Sequence, residues 1–453
     1  MRSFHAYIFS IHYGTAGWSV LLSLLALVLG LDWRIALAIA CLGVLLSRAA
    51  FYVQPLQCFA PTGGNFNVGV REVLGDRGAM RPPVTIIYPT ASGAPWGGID
   101  YIPFREKGYL EGLAAYSKIP YLLVKDLLFM RKKMRVDAPP VPLFQRNGAP
   151  RPMVVFSHGL GGFPHLYSTL LMNIAARGVI VFAMTHMDGS AAFCRDAGHE
   201  IRIPLNIKVR WTSEDREPQL EMRIRETLNT VKRICNGDLL RAMEYDEATV
   251  KKCIESNPLV HLVGHSFGGS TCLASALEDT EAAKAKGASS SIASAVVYDP
   301  WMVPLQKRMF YERLRSSTES CHFITPTLQF FSEEWMRNEA ESSFFLTIKA
   351  LVDQQEHTKE EAALVAAADA KLKSSNISWY TLKNYRRTGH LFCTDVPLFN
   401  PVFHRAHYMT MTPQVCIVRI AVETAQFLDN ISGPLPIDIS LLKDPVLAEM
   451  LRS

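Results

Sequence analysis

Apolar positions along this 453-residue chain fall into two regimes. From Ala6 to Leu31 they are almost continuous, with no formal charge beyond a possible one on His12, and the centre of the run reads WSVLLSLLALVLGL. After Asp32, Trp33 and Arg34 a second run, IALAIACLGVLLS, occupies 35–47 and is closed by Arg48. A helix needs roughly 20 apolar residues to cross a bilayer. Residues 12–31 meet that length, and the second run reaches it through Val53 if Arg48 snorkels to an interface. The block is longer than a signal peptide, resumes after Arg34 and ends without a small-x-small cleavage site. Residues 1–54 therefore read as a membrane anchor of one helix or a hairpin, with a cleaved signal or a buried core helix as the competing readings. Arg48, Arg71, Arg77 and Arg81 point only weakly to a cytosolic side, so compartment stays open.

Beyond residue 55 the pattern shortens into β-length runs separated by helix-length stretches. FNVGVREV and PVTIIYPT flank a Gly-containing turn and read as an early antiparallel pair. The segment 109–140 reads as a helix with an apolar side and a basic end, in which Leu123, Leu127 and Phe129 would face lipid chains and Arg131, Lys132 and Lys133 the phosphates. An ordinary surface helix fits the same spacing. From Met153 onward MVVFSHG, VIVFAMTH, LVHLVGHS, SIASAVVYDP, CHFITPTLQFF and SWYTLKN alternate with helical sequence. Apolar strands in βα alternation predict an α/β domain over 55–453, its mostly parallel sheet covered by helices on both faces. The stretch 353–373 reads as a surface helical connector.

Composition adds exclusions. A formal charge of +5 without a long basic run argues against nucleic acid as a partner, and the 49% hydrophobic content is swollen by the N-terminal block. Nine scattered cysteines without CxxC pairs describe neither a disulfide framework nor a zinc site, so neither a metal nor another cofactor is expected.

The chemistry concentrates at 259–271, LVHLVGHSFGGST. An apolar strand stops at Gly264, a hydroxyl follows at Ser266, and Gly268 and Gly269 open a small-residue helix. That is the context of a nucleophile elbow, in which Gly264 and Gly268 allow strand and helix to approach closely below an exposed serine. Ser266 then needs a base and an acid from later strand ends. Asp299, just past the strand of AVVYDPWM, is the candidate acid, with Glu333 and Glu334 as rivals. His390, in RRTGHLFCTD, is the candidate base, with His404 and His407 as later alternatives. The oxyanion requires preorganised N–H donors, for which the backbone of Phe267 and of Leu160, in FSHGLGGF, are the candidates. His158 in the same loop reads as structural. NIS at Asn376 and Asn430 would accept glycans only in a lumenal or external domain.

Five ordered stretches, VVFSHGLGGFPHLYS, THMDGSA, VGHSFGGST, VVYDPWMVPL and GHLFCTD, resemble the platelet-activating factor acetylhydrolase family of lipoprotein-associated and intracellular type II serine enzymes, over roughly residues 64–430. The resemblance implies an α/β-hydrolase fold, a triad of Ser266, Asp299 and His390, an oxyanion hole from Leu160 and Phe267, and calcium-independent hydrolysis of short or oxidised sn-2 acyl esters of glycerophospholipids. It favours Asp299 over the two glutamates. The apolar N-terminal block and the insertion EDTEAAKAKGASSS depart from the family pattern. A broader serine lipase or phospholipase A1, and a catalytically idle lipid-binding scaffold, are the alternative functions.

Overall fold

The structure, a computed structural model, describes residues 10–53, 56, 58–196, 201–307, 310–315, 322–373, 378–399 and 412–432. His404, His407 and Asn376 lie outside these residues. The described residues open with two helices, α1 (Ile11–Val28) and α2 (Trp33–Val53), both long and apolar enough to cross a membrane. Ser10 starts α1 by accepting the Tyr13 N–H, and a tight turn after Gly30 returns the chain. The two helices pack through small and polar residues: His12, Gly14, Ser23 and Ala26 from α1, and Ala36, Gly43 and Ser47 from α2, are buried. A Cβ at Gly43 would fall 1.8 Å from Ser19 Oγ, which is why only glycine fits there. Leu21, Leu24, Val28, Leu37 and Leu45 point outward instead. Small residues inside and large apolar ones outside is the arrangement of helices that pack within lipid. At its base the hairpin is held by Asp126, whose carboxylate meets His12 Nδ1 at 2.7 Å and the Ile11 N–H at 3.1 Å.

The single amphipathic helix expected within 109–140 does not form. Helix α3 (Gly108–Ser117) ends at Lys118, which takes a left-handed φ of 54°, and Pro120 brings no N–H with which to continue. A helical turn at Tyr121–Val124 and a 3-10 turn at Lys125–Phe129 follow, and Arg131–Lys132 then pairs with Cys58–Phe59 and Ile99–Asp100. Among the six residues expected at a lipid interface, Leu123 is exposed, while Phe129, Arg131 and Lys133 are half-buried. Leu127 and Lys132 are buried in the protein, so neither reaches a bilayer. Strand pairing is the physical reason: it turns Lys132 inward while Arg131 binds Asp100.

The main sheet comprises β1 (Asn67–Val73), β2 (Val84–Thr90), β3 (Met153–Ser157), β4 (Ile180–Met184), β5 (Val260–His265), β6 (Ile292–Tyr298), β7 (Thr327–Ser332) and β8 (Tyr380–Tyr385). Its order is β8-β7-β6-β5-β3-β4-β2-β1, with the two-residue strand Arg135–Val136 beyond β1. Strands β8 through β4 are parallel, and β2 runs antiparallel to β4 and β1. The β1–β2 pair is the early antiparallel pair read from the sequence, with Asn67 opposite Thr90.

Helices cover both faces, which is why strands β2 to β5 and β7 are buried at every position without alternation. On one face Val154 and Phe156 join α4 (Ser168–Ala175) and the C-terminal helix Pro413–Ser432. On the other, Met153 and Val155 join α5 (Ser213–Cys235), α6 (Phe267–Ala285) and α7 (Glu339–Asp353). The surface connector is α8 (Lys359–Leu372), started by a capping box between Thr358 and Glu361. The C-terminal helix, α9, contains Asn430, and the Ser432 hydroxyl of that sequon is bonded to His261 Nε2 at 2.6 Å. The cysteines among the described residues are free thiols.

Candidate active site

The parallel strands end at one edge of the sheet, and the candidate residues emerge there. Ser266 links β5 to α6 with φ 55° and ψ −119°, a left-handed conformation that a non-glycine residue adopts at a cost of about 1–3 kcal/mol. Glycines make the turn possible: a Cβ at Gly264 would lie 2.3 Å from the Gly268 carbonyl oxygen, and one at Gly268 would lie 2.0 Å from that of Ser157. Strand β3, strand β5 and helix α6 therefore meet at backbone contact distance beneath the serine.

Ser266 Oγ lies 3.1 Å from His390 Nε2, and His390 Nδ1 lies 3.1 Å from Asp299 Oδ2. A serine hydroxyl that donates to Nε2 leaves the ring proton on Nδ1, directed at Asp299. Asp299 also takes a positive φ of 40°, and its carboxylate accepts from the Ser332 N–H at 2.7 Å and the Ser332 hydroxyl at 2.5 Å. Burial pushes His390 down to about 4, which keeps the ring neutral and able to take a proton at physiological pH. Burial raises the Asp299 carboxyl, and the two Ser332 donors oppose that shift. Glu333 and Glu334, the rival candidates, hold the loop that carries His390 instead: Glu334 accepts the His390 N–H at 2.8 Å and Glu333 the Arg387 N–H at 2.6 Å.

The backbone around Leu160 and Phe267 is fixed by bonds to the neighbouring carbonyls. The Gly159 carbonyl is tied back by His158 Nδ1–H at 2.8 Å and by the Gly162 N–H at 3.0 Å. Since N–H and C=O of one trans peptide point in opposite directions, the Leu160 N–H is turned away from those donors. The Ser266 carbonyl likewise accepts from the Trp301 N–H at 2.9 Å and the Ser270 N–H at 3.2 Å, which turns the Phe267 N–H the other way at the start of α6. A Cβ at Gly159 would stand 3.2 Å from Ser266 Cβ, so the loop carrying Leu160 lies against the serine.

His158 is fully buried and braces that loop, its Nε2 accepting the His186 N–H at 3.2 Å and its carbonyl accepting from Arg223 at 2.8 Å. Beneath it Ser157 Oγ, His186 and Glu226 form a buried chain at 2.8 and 2.6 Å. Sequence reasoning missed Ser332, Tyr167 and Trp335. The Trp335 ring stacks on His390 at 3.9 Å with the planes 13° apart, and only the short apolar-to-acidic switch FFSEEW after β7 hinted that a strand end was near.

A family model described as platelet-activating factor acetylhydrolase, isoform II, matches residues 53–360, more than half of the chain. The chain belongs to that family. The dog platelet-activating factor acetylhydrolase (Canis lupus familiaris) is 28% identical over 315 residues, covering 64% of this chain and 67% of its own. The cattle protein of the same name (Bos taurus) is 26% identical over 263 residues, covering 54% of this chain and 56% of its own. A solved ferulic acid esterase from Streptomyces cinnamoneus superposes with a TM-score of 0.55 at 16% identity, covering 86% of this chain and 96% of that one, and establishes the α/β-hydrolase fold. The family match begins at the end of α2, so the hairpin lies outside it.

Proposed function

We propose that this family member is a calcium-independent serine esterase that removes the sn-2 acetyl or short or oxidised acyl group of glycerophospholipids, working from a membrane in which the α1–α2 hairpin is embedded. The observation that carries the reading is the continuous line Ser266 Oγ to His390 Nε2 and His390 Nδ1 to Asp299 at 3.1 Å each, with two free N–H groups beside it. Ser266 Oγ attacks the ester carbonyl while its proton passes to His390 Nε2, and Asp299 stabilises the imidazolium formed. The Leu160 and Phe267 N–H groups take the charge that develops on the carbonyl oxygen, a role otherwise left to a bound cation. His390 returns the proton to the lysophospholipid alkoxide as it leaves, and a water activated by the same ring then hydrolyses the acyl-Ser266 ester. The names of the relatives support the substrate class, and the inverted packing of the hairpin supports the membrane.

The test is hydrolysis by the detergent-solubilised full chain, in EDTA, of a matched phospholipid series: sn-2 acetyl, sn-2 long-chain, and sn-1 ester only. Acetyl preference that disappears in Ser266→Ala is the expected result. Turnover without preference for a short sn-2 chain overturns the acetylhydrolase reading in favour of a broader lipase or phospholipase A1. No turnover and no covalent labelling of Ser266 by a fluorophosphonate overturn the esterase reading itself.

A further inference from the structure

We infer that Tyr167 and His265 form a positioning bridge that joins the loop of the oxyanion donor to the loop of the base, so that the two halves of the site are set by one chain of hydrogen bonds. The inference rests on the serine-esterase reading above. Three bonds run in series: Gly159 N–H to Tyr167 Oη at 3.0 Å, Tyr167 Oη to His265 Nδ1 at 2.9 Å, and His265 Nε2 to the His390 carbonyl at 2.9 Å.

Every direction in that chain is fixed by its ends. The Gly159 N–H only donates and the His390 carbonyl only accepts. His265 therefore carries its proton on Nε2, its bare Nδ1 accepts the Tyr167 hydroxyl proton, and the phenol oxygen accepts from Gly159. The bridge holds only while His265 is neutral. It is nearly fully buried, and burial together with the neighbouring His390 ring, 4.6 Å away, holds its pKa well below the ordinary value.

The consequences at the two ends differ in kind. At the oxyanion end, Tyr167 holds the N–H of Gly159 while His158 and Gly162 hold its carbonyl, and these fixed peptides aim the Leu160 N–H. At the base end, His265 holds the carbonyl of His390 while Glu334 holds its N–H, so the backbone beneath the imidazole has both polar groups occupied. Gly159 is packed for this role: a Cβ there would press on His265 Nδ1 at 3.2 Å and Tyr167 Oη at 3.3 Å. Tyr167 and His265 are thus positioning residues; neither is placed to touch the reacting atoms.

The experiment uses the full chain, with Tyr167→Phe and His265→Gln singly and together. Phe keeps the ring that packs edge-on against Phe156 and deletes only the hydroxyl. The expected result is a kcat lower by roughly 10- to 100-fold with KM within about twofold, as small misplacements of reacting groups produce, and an equal fall in the rate of Ser266 labelling by a fluorophosphonate. The double variant falls no further than the slower single, because both substitutions cut one chain. A purely structural role predicts a lowered Tm with kcat per folded molecule unchanged, and that result, in either single variant, overturns the bridge. Effects that multiply in the double variant overturn it too. A wild-type chain that neither hydrolyses esters nor is labelled refutes the esterase reading, and the bridge with it. A labelled, active wild type matched in kcat by Tyr167→Phe refutes the bridge alone.

Discussion

Replacing Ser332 by alanine isolates the contribution of Asp299 to the site. Ser332 ends β7, is fully buried, and its hydroxyl donates to Asp299 Oδ2 at 2.5 Å while accepting the Trp335 N–H at 3.1 Å. The Ser332→Ala variant keeps the backbone bond to Oδ1 and the strand, since only one oxygen is removed. A hydrogen bond to a charged group contributes about 1.5–3 kcal/mol. If that support is lost from the carboxylate that faces the imidazolium, kcat falls by roughly 10- to 100-fold at about 1.4 kcal/mol per decade. The same hydroxyl caps the short helix Glu333–Arg337, and losing an N-cap costs about 1 kcal/mol more of stability. The assay is kcat and KM on a soluble short-acyl ester beside a thermal melt. KM stays within about twofold, because Ser332 exposes no surface to a substrate. A kcat within twofold of wild type, alongside a lowered Tm, would show that Asp299 is oriented without the hydroxyl and would refute the reasoning.

Three further outcomes are expected. Gly268→Ala drives a methyl to 2.0 Å from the Ser157 carbonyl oxygen, and since backbone cannot yield that far the variant loses folded yield or most labelling at Ser266, read by melting and by fluorophosphonate. The acid limb of kcat/KM reports protonation of the His390 ring, which burial disfavours; Trp335→Ala admits water to one face of the ring and moves the limb upward, and a limb unmoved in Trp335→Ala would contradict this. Asp126→Ala removes one member of a fully buried pair with His12, so hydrogen exchange rises in the first turns of α1 while turnover of a soluble ester stays unchanged; unaltered exchange would show that Asp126 does not hold the hairpin.

The strand ends and the elbow were legible because they depend on local pattern. LVHLV followed by Gly, a hydroxyl and two more glycines specifies a buried strand, a sharp turn and a helix with little help from elsewhere. The segment 109–140 departs from its local pattern for the converse reason. Its apolar and basic spacing suits a helix, but Lys118 takes a left-handed turn, and Arg131–Lys132 gains two strand partners from residues 58–59 and 99–100, which no local window contains. Lys132 reads as a solvated charge until its environment is assembled; it is then buried, with its Nζ 2.9 Å from His165 Nδ1.

The sequence by itself determined the strands of the parallel sheet, the glycines the elbow requires, and the short set of residues able to serve as nucleophile, acid and base, since backbone conformation and chemical type there are properties of a residue and its near neighbours. Local pattern left Asp299, Glu333 and Glu334 equivalent, since all follow strands, and only the family resemblance favoured Asp299; in the structure strand register places Asp299 against the ring and turns the two glutamates to its backbone and its loop. Tertiary structure alone decided the supports at Ser332, Trp335, Tyr167 and His265. Hydrogen bonds between residues tens to more than a hundred positions apart leave no periodic trace in the chain, and they exist only once the sheet has brought its strand ends to one edge.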